Sequence, residues 1–353
     1  AMNRAQFEAK YFEQNNKFQH LKVASQSIIE SCLLDIGIAH LPVVGRLKTI
    51  ESLWTKHQKK RYSDPFSEIT DFVGFRIVVF LERDIEVVSK RLKDTFEIDA
   101  HNSIDKLNPS SPNTVGYRSL HLICSLGHNR AKLPEYSGVT DLRFEIQIRT
   151  VLQHAWAEIE HQRNYKGTKV LPPELQRRLM IIAGTLELVD KEFSNISSDA
   201  DHYKDDVATN REQRKDDLLS TISLDVVLHE ILAEKGTVAP KLSQLEDSSE
   251  AIEELNDFGI YTIGDFAALI DSLDNDMLDE RLSSSSEETL IGLVRDLMMA
   301  SDVRKYFKKS HKSKWQGMSN SDLEFVSRVS GQKDLRDFLA DQGIIFYDDG
   351  EWL

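Results

Sequence analysis

The stretch that decides the fold is LRFEIQIRTVLQHAWAEIEHQRNY, residues 142–165. Its first part alternates apolar and polar residues, which predicts a strand with Phe144, Ile146 and Ile148 on one face. A helix rich in His, Trp and Glu follows directly. A row of charged and polar side chains along the other face of such a strand is more typical of a functional site than of a plain protein surface. That row consists of an acid, an amide and a guanidinium: Glu145, Gln147 and Arg149.

Strand and helix patterns alternate around this stretch over residues 1–170. DFVGFRIVVF (71–80) and GYRSLHLICSLG (116–127) are typical of strands, and DIEVVSKRLKDTF (84–96) has helical spacing. The alternation predicts an α/β domain in which a mixed sheet is flanked by helices. Helical patterns continue afterwards, so we expect a C-terminal all-α region.

The charge distribution and a linker-like GTVAP segment divide the chain into three predicted parts. The net charge is −14, yet residues 241–353 hold 12 Lys+Arg against 24 Asp+Glu, a net of −12. The first 240 residues are therefore close to neutral, and the acidity belongs to the C-terminal part. We expect an α/β domain at 1–195, a helical connector at 196–240 and an acidic helical regulatory or interaction domain at 241–353.

The two cysteines indicate a reducing compartment, and the hydropathy pattern bears on the membrane. Cys32 and Cys124 lack metal-ligand spacing, which favours buried free thiols. No apolar run reaches the ~18 residues of a spanning helix, and the N-terminus has no signal-peptide core. We expect a soluble cytoplasmic protein without a membrane partner.

A cluster of cations precedes the second strand. Six lie between residues 46 and 61 against one acid, Glu51. Ser52 and Lys56 share one helix face, because they are four residues apart. The combination of guanidinium and ammonium groups suits phosphates, although a solvated basic helix is an alternative. The six cations are Arg46, Lys48, Lys56, Lys59, Lys60 and Arg61.

Two carboxylates are candidate metal ligands. Asp71 stands five residues before Arg76, so strict alternation sends the two to opposite faces, and Gly74 offers a place for a bulge. A turn or cap residue is the alternative for Asp71. Glu145 supplies the second carboxylate. Mg²⁺ held with nucleotide phosphates typically uses one or two such groups.

For the helix that follows Arg149, a zinc site is one of two interpretations. His154, Glu158 and His161 fall at helical spacing, but they lack the two-His pattern of zinc protease helices. A polar helix face beside a nucleotide pocket is the favoured interpretation.

With these residues in place, the chain resembles the synthetase domain of the RelA/SpoT family of alarmone synthetases over about residues 20–190. The fold implied is nucleotidyltransferase-like. Bifunctional members carry an upstream hydrolase domain with a His-Asp motif. Only about 45 residues precede Gly45 and no His-Asp dipeptide occurs, so the resemblance is to the stand-alone small synthetases. The matching motifs are GRLKTIESLWTK (45–56), DFVGFRIVV (71–79), GYRSLHLI (116–123), FEIQIRT (144–150) and WAEIEHQRNYK (156–166).

The family transfers pyrophosphate from ATP to a 3′-hydroxyl, usually that of GDP or GTP. The resemblance implies that Arg46 and Arg76 sandwich the adenine. It also implies that Asp71 and Glu145 bind Mg²⁺, and that Glu145 takes the proton of the attacking hydroxyl. The ATP phosphates would be held by Lys48, Ser52 and Lys56.

On the acceptor side, the resemblance implies a guanine stacked on Tyr117. Guanine-nucleotide users commonly show Lys-x-Asn-Gly-Tyr there, whereas this chain has NTVGY at 113–117. Alternatives are therefore an adenine nucleotide, the 3′ end of tRNA as in toxic small synthetases, or an inactive nucleotide sensor. For tRNA, residues 56–61 could form a basic track. The other acceptor-side residues implied are His121, Gln147, Arg149, His161 and Asn164.

The C-terminal part has two contrasting segments. AIEELNDFGIYTIGDFAALI (251–270) has the pattern of a helical hairpin without Lys or Arg, so contact with DNA phosphates is not expected. RKYFKKSHKSKW (304–315) is basic, and pairing with the acidic segment is favoured over RNA binding. We expect this part to regulate the synthetase or to recruit a protein partner. Whether the chain forms a homo-oligomer stays open.

Overall fold

The computed structural model describes residues 2–105, 119–165, 172–235, 248–272, 290–312, 314–332 and 334–348. The chain divides into two compact units, Ala1–Ser197 and Ser198–Leu353. The first boundary predicted from sequence, after residue 195, lies close to this division. No helix in the described ranges combines the length and the apolar character needed to cross a membrane.

The first unit combines helices with a six-stranded sheet. Its last helix, α6, extends past Ser197 into the second unit. Two short 3₁₀ helices, His128–Lys132 and Pro134–Tyr136, precede the last strand. The elements are α1 (Arg4–Ile36), β1 (Val44–Leu47), α2 (Ile50–Lys60), α3 (Pro65–Glu68), β2 (Val73–Val79), α4 (Glu82–Thr95), β3 (Glu97–Ile98), β4 (Ile104–Asp105), β5 (Leu120–Ser125), β6 (Phe144–Thr150), α5 (Val151–Tyr165) and α6 (Pro173–Thr209).

The sheet is mixed, which confirms the predicted fold class. Its strand order is β1-β2-β6-β5-β3, with β4 paired to β5. Strands β2 and β6 run parallel, and the other pairs are antiparallel. The register sets Gly74 beside Glu145 and His121 beside Gln147, so residues of three strands meet on one face.

The opposite face of the sheet builds the core. Phe75, Phe144, Ile146 and Ile148 are at most 2% exposed, as their alternation with polar residues predicts. Gly45 is required by this packing, because a Cβ there would lie 2.7 Å from the Phe75 ring. The bulge considered at Gly74 is not formed, since the pairing of β2 with β6 is continuous through that residue.

In the described residues of the second unit, the regular elements are helices and one small parallel sheet that the sequence patterns did not predict. Its elements are α7 (Thr221–Glu234), α8 (Ser248–Phe258), α9 (Ile263–Asp271), α10 (Leu290–Lys309), β7 (Gly317–Ser319), α11 (Asn320–Ser330), α12 (Leu335–Asp341) and β8 (Ile345–Tyr347).

The predicted connector, 196–240, differs from this organisation. Leu224, Val227 and Ile231 of α7 are fully buried in the same core as Phe266 and Val294. Helix α7 is therefore part of the second unit, because it supplies one side of that core.

The acidic hairpin and the basic stretch lie together within the second unit. Helices α8 and α9 are joined by a turn in which Gly259 has a φ of +92°. Lys312 forms an ion pair with Asp257, and Lys314 Nζ lies 3.4 Å from Glu253 Oε2. The charges of the two segments thus offset each other, which is the arrangement that the charge pattern favoured.

Candidate active site

The polar face of the sheet forms a cleft. It is lined by side chains from β1, β2 and β6, and its empty volume, including the open mouth, is about 360 Å³. Gly74 lies in the floor, where an added Cβ would meet nothing closer than Glu145 O at 4.0 Å. The space above Gly74 is therefore open. The charged and polar side chains that line the cleft are Arg46, Arg76, Glu145 and Gln147.

Glu145 is held from both sides by hydrogen bonds. His121 Nδ1 lies 2.8 Å from its Oε1, and Gln147 Nε2 donates to Oε2 at 2.9 Å. The network continues to Ser119 Oγ, which lies 2.7 Å from His121 Nε2, and to Arg149, whose Nη2 donates to Gln147 Oε1 at 3.0 Å. The carboxylate orientation is thus fixed by residues of β5 and β6.

The environment of Glu145 keeps its carboxyl group ionised. Burial opposes the charge, but the hydrogen bond and the charge of His121 outweigh burial, so the pKa of Glu145 lies below its ordinary value. The negative charge of Asp71 acts in the opposite direction and raises that pKa. Asp71 and Glu145 are therefore close enough to interact electrostatically, although they are far apart in sequence.

Asp71 lies between two lysines. Lys56 Nζ donates to its Oδ1 at 2.8 Å, and Lys48 Nζ donates to its Oδ2. The Asp71 side chain is 11% exposed. Burial opposes ionisation of Asp71, yet the hydrogen bonds from the two lysines prevail and lower its pKa. Two ammonium groups are thus brought together at the start of β2.

Arginines crowd the junction between the sheet and α5. Arg76 Nη1 donates to Glu158 Oε1 at 2.8 Å. Burial and the positive charge of Arg76 lower the pKa of Arg149, and Arg46 adds to this effect. Within the described ranges, the buried Nε atoms of Arg76 and Arg149 have no hydrogen-bond partner. Such donors suit an anionic or planar ligand.

His154 completes this junction. Its Nδ1 lies 3.8 Å from Glu158 Oε1, and burial together with the charge of Arg76 lowers the pKa of His154. The sequence placed His154 and Glu158 on a polar helix face beside the pocket but gave neither residue an individual role. Their helical spacing after Arg149 was the available signal, but only the packing of α5 shows that Glu158 reaches Arg76.

The structure brings together most of the residues predicted for the site. Ser52 lies in the first turn of α2, where its hydroxyl accepts a hydrogen bond from Thr49 Oγ1 at 2.9 Å. His161 and Asn164 belong to α5. Tyr117 lies outside the described residues. Those that meet through the cleft or the hydrogen bonds above are Arg46, Lys48, Lys56, Asp71, Arg76, His121, Glu145, Gln147 and Arg149.

The donor chemistry of the site fits a hard divalent cation. Among the described residues, no three His, Cys, Asp or Glu side chains are grouped to hold a metal ion by themselves. Mg²⁺ needs fewer protein ligands, since one or two carboxylates together with substrate phosphates suffice. Asp71 and Glu145 are two such ionised oxygen donors.

Comparison with known proteins matches the chain to one family, by a family model and by two individual relatives. The family model described as "Region found in RelA / SpoT proteins" matches residues 45–170. The GTP pyrophosphokinase YjbM of Bacillus subtilis (strain 168) is 34% identical over 160 residues, which cover 44% of this chain and 70% of YjbM. The GTP pyrophosphokinase YwaC of the same organism is 31% identical over 161 residues, covering 44% of this chain and 73% of YwaC.

Solved structures of small alarmone synthetases also align with the chain. Small alarmone synthetase 1 from Bacillus subtilis aligns with a TM-score of 0.45 and 25% identity, covering 55% of this chain and 99% of that one. The same enzyme bound to its product pppGpp aligns with a TM-score of 0.44 and 28% identity, covering 55% and 98%.

Proposed function

Because this chain belongs to the RelA/SpoT family, as an enzyme of the small alarmone synthetase type, we propose that it transfers pyrophosphate from ATP to the 3′-hydroxyl of GDP or GTP in the presence of Mg²⁺. The relatives named above are GTP pyrophosphokinases, which supports a guanine nucleotide as the acceptor. The observation that carries the proposal is the carboxylate of Glu145, held between His121 and Gln147 in a cleft lined by arginines.

Glu145 acts as the general base. Its lowered pKa leaves it ionised at neutral pH, so it can accept the proton of the acceptor hydroxyl. A base in this position typically contributes ~10²–10⁴-fold to the rate. His121 and Gln147 keep the carboxylate oriented while the hydroxyl attacks. They are positioning residues for this step, in addition to the acceptor-side role proposed for them.

The cations on the other side of the site bind ATP. Arg46 and Arg76 both line the cleft, where planar guanidinium groups can stack on the adenine ring. Lys48 and Lys56 provide the charges that neutralise the phosphates, and Ser52 lies one helical turn before Lys56. Transfer of a phosphoryl-type group depends mainly on positioning and on neutralisation of charge, which these residues supply.

Asp71 and Glu145 are the residues that would hold Mg²⁺. When bound, the ion neutralises the phosphate oxygens and orients them. On the acceptor side, Arg149 reaches Gln147, and the proposed contacts of Tyr117, His161 and Asn164 complete the set.

The decisive experiment follows the label of ATP. ATP labelled at the β- or the γ-phosphate is incubated with the protein and Mg²⁺, with GDP, GTP, AMP or deacylated tRNA offered in parallel. We expect both labels in the guanine nucleotide and one AMP released for each transfer. Transfer of the label to tRNA or to the added AMP would contradict a guanine nucleotide as the acceptor. Binding of ATP without AMP release under any condition would exclude transfer.

Two variants separate chemistry from binding. Glu145→Gln should lower transfer by at least about 100-fold while ATP binding through the cations persists, because the base and one proposed Mg²⁺ ligand are lost together and the shape is kept. Gly74→Leu should abolish ATP binding without unfolding, because the new side chain fills the open space above Gly74 and strand geometry tolerates it. Gly74→Ala and Glu97→Gln, an exposed acid on β3, are the controls. Equal loss in Glu97→Gln would contradict the assignment.

A further inference from the structure

The ion pair between Arg76 and Glu158 joins the cleft to helix α5. Arg76 Nη1 donates to Glu158 Oε1 at 2.8 Å, although the two residues are 82 positions apart in the sequence. Both side chains are partly exposed, so a ligand in the cleft can reach them. Arg76 lines the cleft together with Arg46. Glu158 therefore lies at the edge of the space in which the proposed function stacks the adenine ring of ATP.

The bond to Glu158 sets the plane of the Arg76 guanidinium group. The N–H groups of a guanidinium lie in its plane, so an acceptor bonded to Nη1 lies beside the group and leaves both of its faces open. A planar ring can stack on such a face while the edge of the guanidinium stays bonded to the carboxylate. The carboxylate of Glu158 consequently lies next to the edge of a stacked ring.

The second oxygen of Glu158 is available to a ligand. Among the described residues, the polar contacts of this carboxylate all involve Oε1, which takes the bond from Arg76 and lies 3.8 Å from His154 Nδ1. Burial together with the charge of Arg76 lowers the pKa of His154, so His154 is neutral at neutral pH and does not compensate the carboxylate charge. Carboxylate oxygens accept hydrogen bonds and donate none. Oε2 is thus an acceptor at the rim of the cleft.

An acceptor in this place distinguishes the two purines of the proposed reaction. Adenine carries an amino group at C6, which donates hydrogen bonds, whereas guanine carries a carbonyl oxygen there, which accepts them. A carboxylate that meets the C6 edge therefore binds adenine and repels guanine. The distinction matters because the proposed donor is an adenine nucleotide and the proposed acceptor is a guanine nucleotide. Both carry phosphates that the same cations attract.

We propose that Glu158 selects the base of the donor nucleotide. One carboxylate oxygen orients Arg76 for stacking, and the other accepts a hydrogen bond from the C6 amino group of adenine. The inference rests on the proposed function, because it takes ATP as the donor. Glu158 is thereby a specificity-determining residue for the base, whereas Lys48 and Lys56 attract the phosphates of either purine nucleotide.

A cycle of protein variant against nucleotide measures this contact. Isothermal titration calorimetry, with Mg²⁺ and without an acceptor, compares ATP with purine riboside 5′-triphosphate, which lacks only the C6 amino group. The wild type should bind ATP at least about tenfold more tightly than the analogue. In Glu158→Ala the two affinities should agree to within about twofold. A changed orientation of Arg76 weakens both nucleotides alike, so the ratio of the affinities isolates the amino–carboxylate contact.

The matched control is Glu86→Ala, which removes an exposed acid from α4 and should keep the wild-type preference. Circular dichroism and a thermal melt establish that each variant is folded. Folding of Glu158→Ala is expected, because the Glu158 side chain is 47% exposed and alanine is the strongest helix former.

Glu158→Gln tests the rejection of guanine. The amide keeps the size of the side chain, but it can donate a hydrogen bond to the C6 carbonyl of guanine. When ATP and GTP compete as donors in one mixture with GDP, released AMP and GMP report which donor was used. The ratio of GMP to AMP should rise at least about tenfold over that of the wild type.

Equal affinity of the wild type for ATP and the analogue would overturn the role of Glu158, as would an undiminished preference in Glu158→Ala or an unchanged ratio of GMP to AMP in Glu158→Gln. Each of these results leaves pyrophosphate transfer by the wild type in place. Absence of AMP release with every acceptor would instead contradict the proposed function, and the calorimetric comparison of the two nucleotides would still decide the role of Glu158.

Discussion

Asp71 experiences two opposing influences on its ionisation. Burial disfavours its charge, while Lys48 and Lys56 stabilise the charge through direct hydrogen bonds. The lysines prevail, so the folded-state pKa lies below the ordinary value of 3.8. A carboxyl group that is more acidic in the folded state stabilises the fold above the unfolded-state pKa, and this contribution is lost as the pH falls through the folded-state value.

Asp71→Asn should therefore destabilise the first unit in a pH-dependent way. At about pH 6 we expect a loss of about 2 kcal/mol, because both ion pairs are lost: the Asn oxygen accepts from one ammonium group only, and its NH₂ group faces the other. The difference from wild type should shrink below pH 3.8, where the carboxyl of the unfolded chain is protonated. Urea unfolding at several pH values measures it. A difference that stays constant with pH would contradict the role of the carboxylate charge.

The control for this measurement is Asp94→Asn. Asp94 is exposed on α4, and surface substitutions of this kind usually change stability by no more than about 0.5 kcal/mol.

At the same scale, the sequence predicted side chains better than it predicted their partners. The alternation of apolar and polar residues placed Glu145, Gln147 and Arg149 on one face, as the structure has them. The His121–Glu145 contact depends on the register between β5 and β6, which no local pattern contains. Asp71 precedes β2, so the alternation argument that sent it away from Arg76 does not apply.

Among the elements, β6 and α6 show what local patterns contain and what they omit. The alternation of apolar and polar residues predicted strand β6, because every second residue of a half-buried strand faces the core. The apolar residues of α6 predicted a helix. They did not predict that Asp190 and Ser194 would form its inner face, because that depends on hydrogen-bond partners in Thr150 and Glu82.

Asp190→Ala should loosen α6 on the first unit. The substitution removes the acceptor for the buried Thr150 hydroxyl, and we expect a cost of about 1–3 kcal/mol. Hydrogen exchange should rise over 173–197 more than over the sheet, because the helix loses its attachment to β6.

The neighbouring Lys191→Ala is the matched control for this substitution. Lys191 is exposed, so its exchange pattern should equal that of wild type. Unchanged protection of 173–197 in Asp190→Ala would show that the Thr150–Asp190 contact does not hold the helix.

On the scale of the whole molecule, the two units have separate cores. One cluster of buried apolar residues runs from Phe7 to Ile148, and the other from Val207 to Ile344. The site residues described above all belong to the first unit. We therefore propose that the second unit regulates the enzyme or recruits a partner, and that it folds on its own core. The charge distribution separated residues 241–353 from the rest of the chain, but only the packing shows that α7 belongs to the second unit.

A buried ionic network marks the second unit. Glu254 is fully buried, and it accepts hydrogen bonds from Arg295 Nη2 at 2.7 Å and from Tyr306 Oη at 2.8 Å. Trp315 Nε1 donates to Tyr306 Oη at 2.9 Å, which extends the network to the segment after α10. Burial, with the charge of Glu254, raises the pKa of Tyr306. The network joins α8 to α10, with 41 residues between Glu254 and Arg295 along the chain, and to the segment directly after α10.

Calorimetry of the full chain should accordingly resolve two unfolding transitions. ATP with Mg²⁺ should raise only the first unit's transition, because a ligand stabilises the unit that binds it. Glu254→Gln should affect only the transition of the second unit. We expect it to lower the free energy of unfolding of that unit by about 3 kcal/mol, because Arg295 loses its fully buried counter-charge. Glu253→Gln is the control, since Glu253 is 73% exposed and its ion pair with Lys314 contributes little. A single transition that shifts with both ATP and Glu254→Gln would show that the two units unfold together. Regulation by the second unit would then have to act through the stability of the whole chain.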